Sequence, residues 1–337
     1  MPTPTTYPSA KQFVNIAKEV TQGTAVETGM TTMPLNSFKP KDDPVWLKDE
    51  ALRGSMVKTY GIIQGPQKSN FTMDGPVFLD WLPFLLHNLM GGLDTSGPVS
   101  SIYTHILSLL NSGTGQPPSH TFVDFQGLTA TSGARTYPGG SLAELTLKGN
   151  PESTLLEFSA KGSGFWSSAF PTAPPTNNVG TEVPFAAWRC ELAFGGSLPG
   201  SKSLVVREWE VTTTREISVQ HTSQNSQAPY IIQRGPIECN GKFFVAKPSD
   251  ETFLDYFRSN TQPQFQLLVS NGLAAAAART LTIDILNCAF TMTEANRSDP
   301  AVGYDCTFEA VANTTNDGAS GGFAPVKYTV TNAIATY

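Results

Sequence analysis

The sequence predicts a mainly β protein built from two tandem β-sandwich or partial-barrel units, each with a short flanking helix. Three observations support this prediction: low charge with many small and hydroxyl residues, repeated runs of strand-type alternation, and two short signatures that recur in the same order. A chain of 337 residues is long enough for two domains, since single domains commonly span roughly 100–200 residues.

Composition is the first observation. Charged residues make up 15% of the chain, against about 25% in average globular proteins. Thr, Ser and Asn, with 29 Gly and 25 Pro, take their place. Such a surface suits β structure and packing against neighbours, where charges would have to be desolvated. With a net charge of −6 and no basic cluster, the composition disfavours a tight nucleic-acid binder.

Strand patterns in the first half surround one helical segment. Residues 54–73 have strand chemistry, with a turn at Gly65-Pro66. Pro76 suits the first position of a helix, whose apolar residues recur every three or four positions up to Gly91-Gly92. Pro83 is expected to kink this helix or to delay its start.

Beyond this helix, residues 93–140 are expected to be loop-dominated, except for a short strand over 121–125. Residues 141–149 and 154–160 then predict a β-hairpin.

The second half contains another run of predicted strands. They cover residues 185–194, 204–219, 230–239, 242–246, 265–269, 280–293, 304–311 and 326–330. Asn240-Gly241 is expected to be a turn, and Ser249 is expected to cap a short helix with acidic residues in its first turn. These patterns divide the chain into an extended N-terminal arm (1–50), a first β unit (51–170), a linker (171–183) and a second β unit with a C-terminal strand (184–337).

Two signatures recur in order. Tyr60-Gly-Ile-Ile-Gln-Gly-Pro66 is echoed by Tyr230-Ile-Ile-Gln-Arg-Gly-Pro236, and Phe78-Leu-Asp-Trp81 is echoed by Phe253-Leu-Asp-Tyr256. Each time a strand is expected to end in Gly-Pro, and a helix is expected to open with the aromatic run. A hairpin is expected later in each copy, so chance is a poor explanation. Two equivalent units in one chain could occupy adjacent positions of a ring and halve the number of chains that the ring requires.

No catalytic, cofactor or metal site is predicted. The four cysteines form no CxxC pair and are expected to be buried free thiols, namely Cys190, Cys239, Cys288 and Cys306. His105 and His120 are expected to be surface or loop-packing residues. Gly318–Gly322 matches the nucleophile-elbow pattern but lacks a downstream histidine.

The remaining candidate residues also favour structural roles. Gly235–Lys242 has the wrong spacing for a phosphate loop. Asp80 and Asp255 are expected to cap helices. Trp166, Trp188 and Trp209 could form a sugar platform, although strand aromatics are more often core residues. The N-terminal residues lack a signal-peptide pattern, and residues 78–93 are too short and too interrupted to span a bilayer.

Across nearly its full length, the chain resembles the tail tube proteins of long-tailed bacteriophages. Four segments carry the resemblance: Glu19-Val-Thr-Gln-Gly-Thr-Ala25, the strand into Gly65-Pro66, Ser119-His-Thr-Phe122, and the run from Pro184 to Gly196. The loop around 93–118 and the Gly-rich segment 317–322 depart from the family pattern.

The resemblance implies a non-enzymatic virion protein of the phage tail, assembled in the host bacterial cytoplasm. It implies strands that contribute to an oligomeric β-barrel ring, and rings stacked into a tube through which DNA passes without specific binding. The expected partners are other copies of the chain, in a homotrimeric pseudo-sixfold ring or alternatively a hexamer, and tail proteins such as the tape measure and tail terminator. No membrane partner is expected.

Two other functions stay open from the sequence alone. One is a different virion structural protein, such as a capsid decoration or fibre-associated protein. The other is a carbohydrate-binding β-sandwich, or a glycosidase with paired carboxylates that the sequence cannot place together in space.

Overall fold

The computed structural model describes residues 8–127, 133–152, 154–170, 175–180, 182–246, 251–273, 277–297 and 302–337. Over these residues the chain is mainly β, with two helices and two antiparallel sheets. The predicted fold class is therefore confirmed at the level of a mainly β protein with two short helices. The predicted helix cap at Ser249 lies outside the described residues.

A twelve-stranded sheet forms one layer of the molecule. Its strands are β1 (Phe13–Lys18), β2 (Thr31–Met33), β3 (Ser37–Asp49), β4 (Gly61–Pro76), β7 (His120–Phe125), β8 (Ala134–Gly149), β9 (Glu157–Gly164), β10 (Ser168–Ala169), β13 (Val206–Gln220), β14 (Ile231–Ala246), β17 (Asn287–Asn296) and β18 (Gly303–Val311). The long strand β8 joins two parts of it, because its first half pairs with β7 and its second half with β13.

The second layer is a seven-stranded sheet in the order β12-β11-β15-β16-β19-β6-β5. Its strands are β5 (Gly91–Val99), β6 (Ile102–Leu109), β11 (Cys190–Phe194), β12 (Lys202–Ser203), β15 (Phe265–Ser270), β16 (Thr280–Ile285) and β19 (Lys327–Asn332). One apolar core contains residues of both sheets, including Leu145, Val211, Leu267 and Tyr328. The alternation of buried and exposed residues along the strands follows from the two-residue period of β structure.

Helix α1 (Leu82–Met90) begins later than the sequence suggests. Pro76 ends β4 and does not open the helix, so that prediction is wrong, whereas Pro83 lies in the first turn, where its missing N–H costs nothing. Gly91 closes the helix with a φ of 87°, as expected for a helix-ending glycine. Helix α2 (Thr252–Ser259) is the second helix. Neither described helix is long and apolar enough to cross a membrane.

The second signature does not occupy matching positions. Phe78-Leu-Asp-Trp81 precedes α1, whereas Phe253-Leu-Asp-Tyr256 lies within α2. The first signature does match, because Gly65-Pro66 and Gly235-Pro236 both lie at register shifts of long hairpins, β3–β4 and β13–β14.

Two other local expectations are also wrong. Residues 91–109 form the β5–β6 hairpin where a loop was expected. Asn240-Gly241 is not a turn, since β14 runs through it between β13 and β18. Within residues 1–50, which the sequence predicts as an extended arm, the described part contains three paired strands. Val14, Ile16 and Met33 are buried and hold β1 and β2 in the sheet.

Candidate assembly interface

The residues singled out for chemistry do not come together. His105 and His120 are buried in strands, so the expectation of surface or loop positions is wrong. His105 Nε2 lies 2.9 Å from the Ile334 carbonyl, and His120 Nδ1 lies 2.7 Å from the Asn88 amide. Burial lowers the pKa of both imidazoles. No group of His, Cys, Asp or Glu among the described residues could hold a metal ion.

The other candidates have structural surroundings. Asp80 forms an ion pair with Arg279 at 3.2 Å and does not cap α1, so that expectation is wrong. Asp255 lies in the first turn of α2 without capping it through a hydrogen bond. The Ser320 hydroxyl donates to the Leu109 carbonyl, and no imidazole is among its hydrogen-bond partners.

The tryptophans and cysteines separate by burial. Trp209 is a core residue, as expected, whereas Trp188 is exposed. The centre of the Trp188 ring lies 4.6 Å from the Arg189 guanidinium carbon. All four cysteines are free, and three of them are buried, namely Cys239, Cys288 and Cys306.

A carboxylate that the sequence did not single out holds the chain before α1. Glu182 accepts hydrogen bonds from the backbone N–H groups of Leu79 and Asp80, each at 2.9 Å. Burial, with the nearby Asp80 charge, raises the pKa of Glu182 to about 7. The two backbone hydrogen bonds give Glu182 the contacts of a structural brace for the segment before α1.

Eight strands of the larger sheet follow one another in the order β3-β4-β9-β8-β13-β14-β18-β17. We call this the eight-strand run. Its first four strands and its last four have the same connectivity. Each half begins with a long hairpin, β3–β4 or β13–β14. The second strand of a later hairpin comes next (β9 or β18), followed by the first strand of that hairpin (β8 or β17). The later hairpin of each half, β8–β9 and β17–β18, carries one register shift, between Leu142 and Glu144 and between Phe290 and Met292.

The two halves of the run meet where β8 pairs with β13. The pairing is antiparallel and covers Glu144–Gly149 and Trp209–Thr214. On its polar face the Thr146 and Thr212 hydroxyls lie 2.9 Å apart, and Lys148 is in register with Glu210. The opposite face is apolar, with Leu147 and Val211 buried.

Two buried arginines strengthen this junction. Arg215 donates to the Leu89 carbonyl at 2.9 Å, and Arg234 donates to the Asn88 carbonyl at 2.7 Å. Both carbonyls belong to the last turn of α1, where helix carbonyls lack intrahelical partners and favour positive charge. Neither arginine is among the candidate residues named from the sequence. Arg234 interrupts the apolar pattern after Tyr230-Ile-Ile-Gln, and this interruption is a signal that could have indicated it.

Both ends of the eight-strand run are open. In the described part of the chain, β3 pairs only with β4, and β17 pairs only with β18. The β3 edge exposes Lys39 and Lys41, and the β17 edge exposes Glu294. Unpaired edges are sites where another chain can add a strand, so monomeric proteins usually block them.

The surroundings of the two helices differ. All nine residues of α1 are buried, but only Phe253 is buried among the eight residues of α2. The β3–β4 hairpin, in turn, leaves four large apolar side chains more than half exposed, namely Trp46, Leu47, Ile62 and Ile63. Apolar side chains clustered on one exposed hairpin indicate an interaction surface.

Comparison with known proteins agrees with an assembly role. The model of a family described as phage tail tube protein matches residues 9–326, nearly the whole chain. No curated protein matches the sequence.

Proposed function

Because the chain belongs to the phage tail tube protein family, we propose that it is a non-enzymatic virion protein that polymerises as stacked rings into the phage tail tube, the conduit for DNA ejection. The observation that carries this proposal is the eight-strand run with two open edges. A sheet of this kind closes into a barrel when several copies join edge to edge, and closure removes every open edge.

We also propose that the run is an internal duplication. Its two halves share strand order, and their Gly-Pro signatures lie at matching register shifts. Each half would then fill one position of a pseudo-sixfold ring, so three chains would complete it. Six chains would be needed if only one half entered the barrel.

The polar face of the eight-strand run is proposed to line the lumen. Acidic and basic residues alternate on it, with ion pairs such as Lys161–Glu144 at 2.6 Å and Lys242–Glu210 at 3.2 Å. Cross-strand pairing leaves little free positive charge, and the chain has a net charge of −6. Such a wall would repel the DNA backbone mildly and would hold no phosphate tightly.

Ring stacking and contacts with other tail proteins complete the proposal. The partners would include the tape measure inside the tube and the terminator at its end. Residues 1–45 are proposed to contribute to ring stacking. Deleting all of them would remove β1, β2 and most of β3. A deletion ending at Gln12 leaves β1 in place and tests stacking alone.

Negative-stain microscopy of the purified protein tests the proposed function. Rings or hollow tubes at high protein concentration are the expected result. Discrete monomers under the same conditions, with thermal stabilisation by sugars, would contradict it and favour a carbohydrate-binding protein.

A further inference from the structure

We infer that β17 of one copy pairs antiparallel with β3 of the next copy, in the same register that β8 and β13 adopt within one chain. This inference rests on the proposed function and specifies the contact that would close the ring. The partner is a second copy of the chain, and Lys41 of one copy lies opposite Glu294 of the other.

The counterpart of β13 is β3, and matching register shifts fix the correspondence. The β13–β14 ladder shifts between Arg215 and Ile217, and the β3–β4 ladder shifts between Pro44 and Trp46. Arg215 therefore corresponds to Pro44. Counting back three residues along each strand, Thr212 corresponds to Lys41.

The counterpart of β8 is β17, by the same reasoning. The β8–β9 ladder shifts just before Glu144, and the β17–β18 ladder shifts just before Met292. Two residues further along each strand, Thr146 corresponds to Glu294. Since Thr146 is in register with Thr212 within the chain, the same geometry places Glu294 opposite Lys41 of the next copy.

The charges of the two edges agree with this register. Glu294 makes no ion pair in the part of the chain that the structure describes, and it is in register with Asp305, another acid. Lys41 is largely exposed, with only a 4.0 Å contact to Asp43. Lys39 and Asp43 would both lie diagonally across from Glu294, one with each sign of charge. The directly opposite Lys41 would therefore supply the net attraction to Glu294.

Side-chain pairs have particular weight at this contact. Pro40 has no backbone N–H, so β3 cannot supply a complete set of donors to a neighbouring strand. Backbone pairing alone would therefore specify the register weakly. Opposite charges directly across two strands favour one register over its neighbours.

Helix α2, in which only Phe253 is buried, supplies a second part of the contact. Within the chain, β13 and β14 cover the end of α1 through Arg215 and Arg234. The corresponding β3–β4 hairpin of the next copy would cover α2. Pro44 and Gln64 stand in the positions of the two arginines, so this cover would be apolar, with Trp46, Ile62 and Ile63 available for it.

Disulfide trapping tests the register in assembled protein. Lys41→Cys with Glu294→Cys is expected to give a covalent species of three chains on a non-reducing denaturing gel after mild oxidation, because directly opposite strand residues lie at disulfide distance. The matched control, Lys41→Cys with Ala289→Cys, places the second thiol on the same strand outside that distance and is expected to give none. Efficient disulfide formation by the control pair would overturn the inference. A failure of both pairs to form a disulfide in intact rings would overturn it as well.

Charge exchange tests the same contact without cysteine. Lys41→Glu is expected to raise the concentration needed for assembly about two- to fivefold, and adding Glu294→Lys is expected to restore it. Adding Glu309→Lys, on the neighbouring strand β18, should not restore assembly. If the wild-type protein forms no rings, the proposed function fails. If rings form and both double variants behave alike, only the register is wrong.

Discussion

Replacing Arg234 tests the idea that the second half of the eight-strand run is fastened to α1. The side chain is almost fully buried and donates to the carbonyls of Asn88, Pro117 and Pro118 and to the Ser141 hydroxyl. Burial lowers the pKa of Arg234, yet a guanidinium stays charged at neutral pH. Arg234→Met keeps much of the volume and removes all four hydrogen bonds.

The expected loss of folding stability is about 3 kcal/mol. Leaving buried acceptors without a donor costs about 1–3 kcal/mol for each fully desolvated group, and part of this is offset because no charge is buried any longer. In a chain of 337 residues the thermal midpoint should fall by about 4 °C.

Thermal unfolding of unassembled protein, followed by circular dichroism, measures the effect of this substitution. Gln233→Ala is the matched control, because Gln233 is the exposed neighbour on the same strand, and its loss should change stability by less than about 0.5 kcal/mol. Equal midpoints for the two variants would refute the role assigned to Arg234.

Three further predictions concern other groups. Because the pKa of Glu182 is raised from 4.5 to about 7 in the folded protein, stability should fall as pH rises between these values, and Glu182→Gln should flatten that dependence in denaturant titrations. Burial raises the pKa of Cys239 and Cys306 to about 12, so neither thiol should react with a thiol reagent at pH 8 until the protein unfolds. Rapid labelling of both thiols in the native protein would contradict this prediction. Ile63→Ser should weaken assembly while changing the thermal midpoint of the unassembled chain little, because Ile63 is exposed; a large drop in the midpoint would contradict a surface role.

Local patterns predicted most strands because burial on one face produces a two-residue alternation. These patterns failed where pairing with neighbouring strands, and not the local sequence, decides the conformation. Gly91–Val99 has little apolar alternation, yet it forms β5 because β6 pairs with it along its length. Asn240-Gly241 has the sequence of a turn, but strands on both sides hold it extended. A side chain at Gly241 would lie 2.6 Å from the Phe308 ring, so close packing is what this position requires of glycine.

The candidate interface was predictable only in part. The Gly-Pro signatures indicated two related hairpins, since they are local strings. The open edges, the buried arginines and the difference between α1 and α2 arise from contacts between residues more than 100 positions apart, such as Arg215 with Leu89. Lys39, Pro40 and Lys41 are typical of an edge strand, so the sequence does carry a signal for the β3 edge. Strand β17 contains no proline or lysine, and its edge position could not be predicted in this way. The second signature shows the same limit, because similar strings lie before one helix and inside the other.

The number of chains in one ring is the measurement that tests the central claim most directly. Native mass spectrometry of isolated rings, or the symmetry of tubes in electron cryomicroscopy, would supply it. Two pseudo-equivalent units per chain predict three chains with pseudo-sixfold symmetry and β17 beside β3 of the next copy. A ring of six chains, each contributing a single four-strand unit to the barrel, would contradict the account.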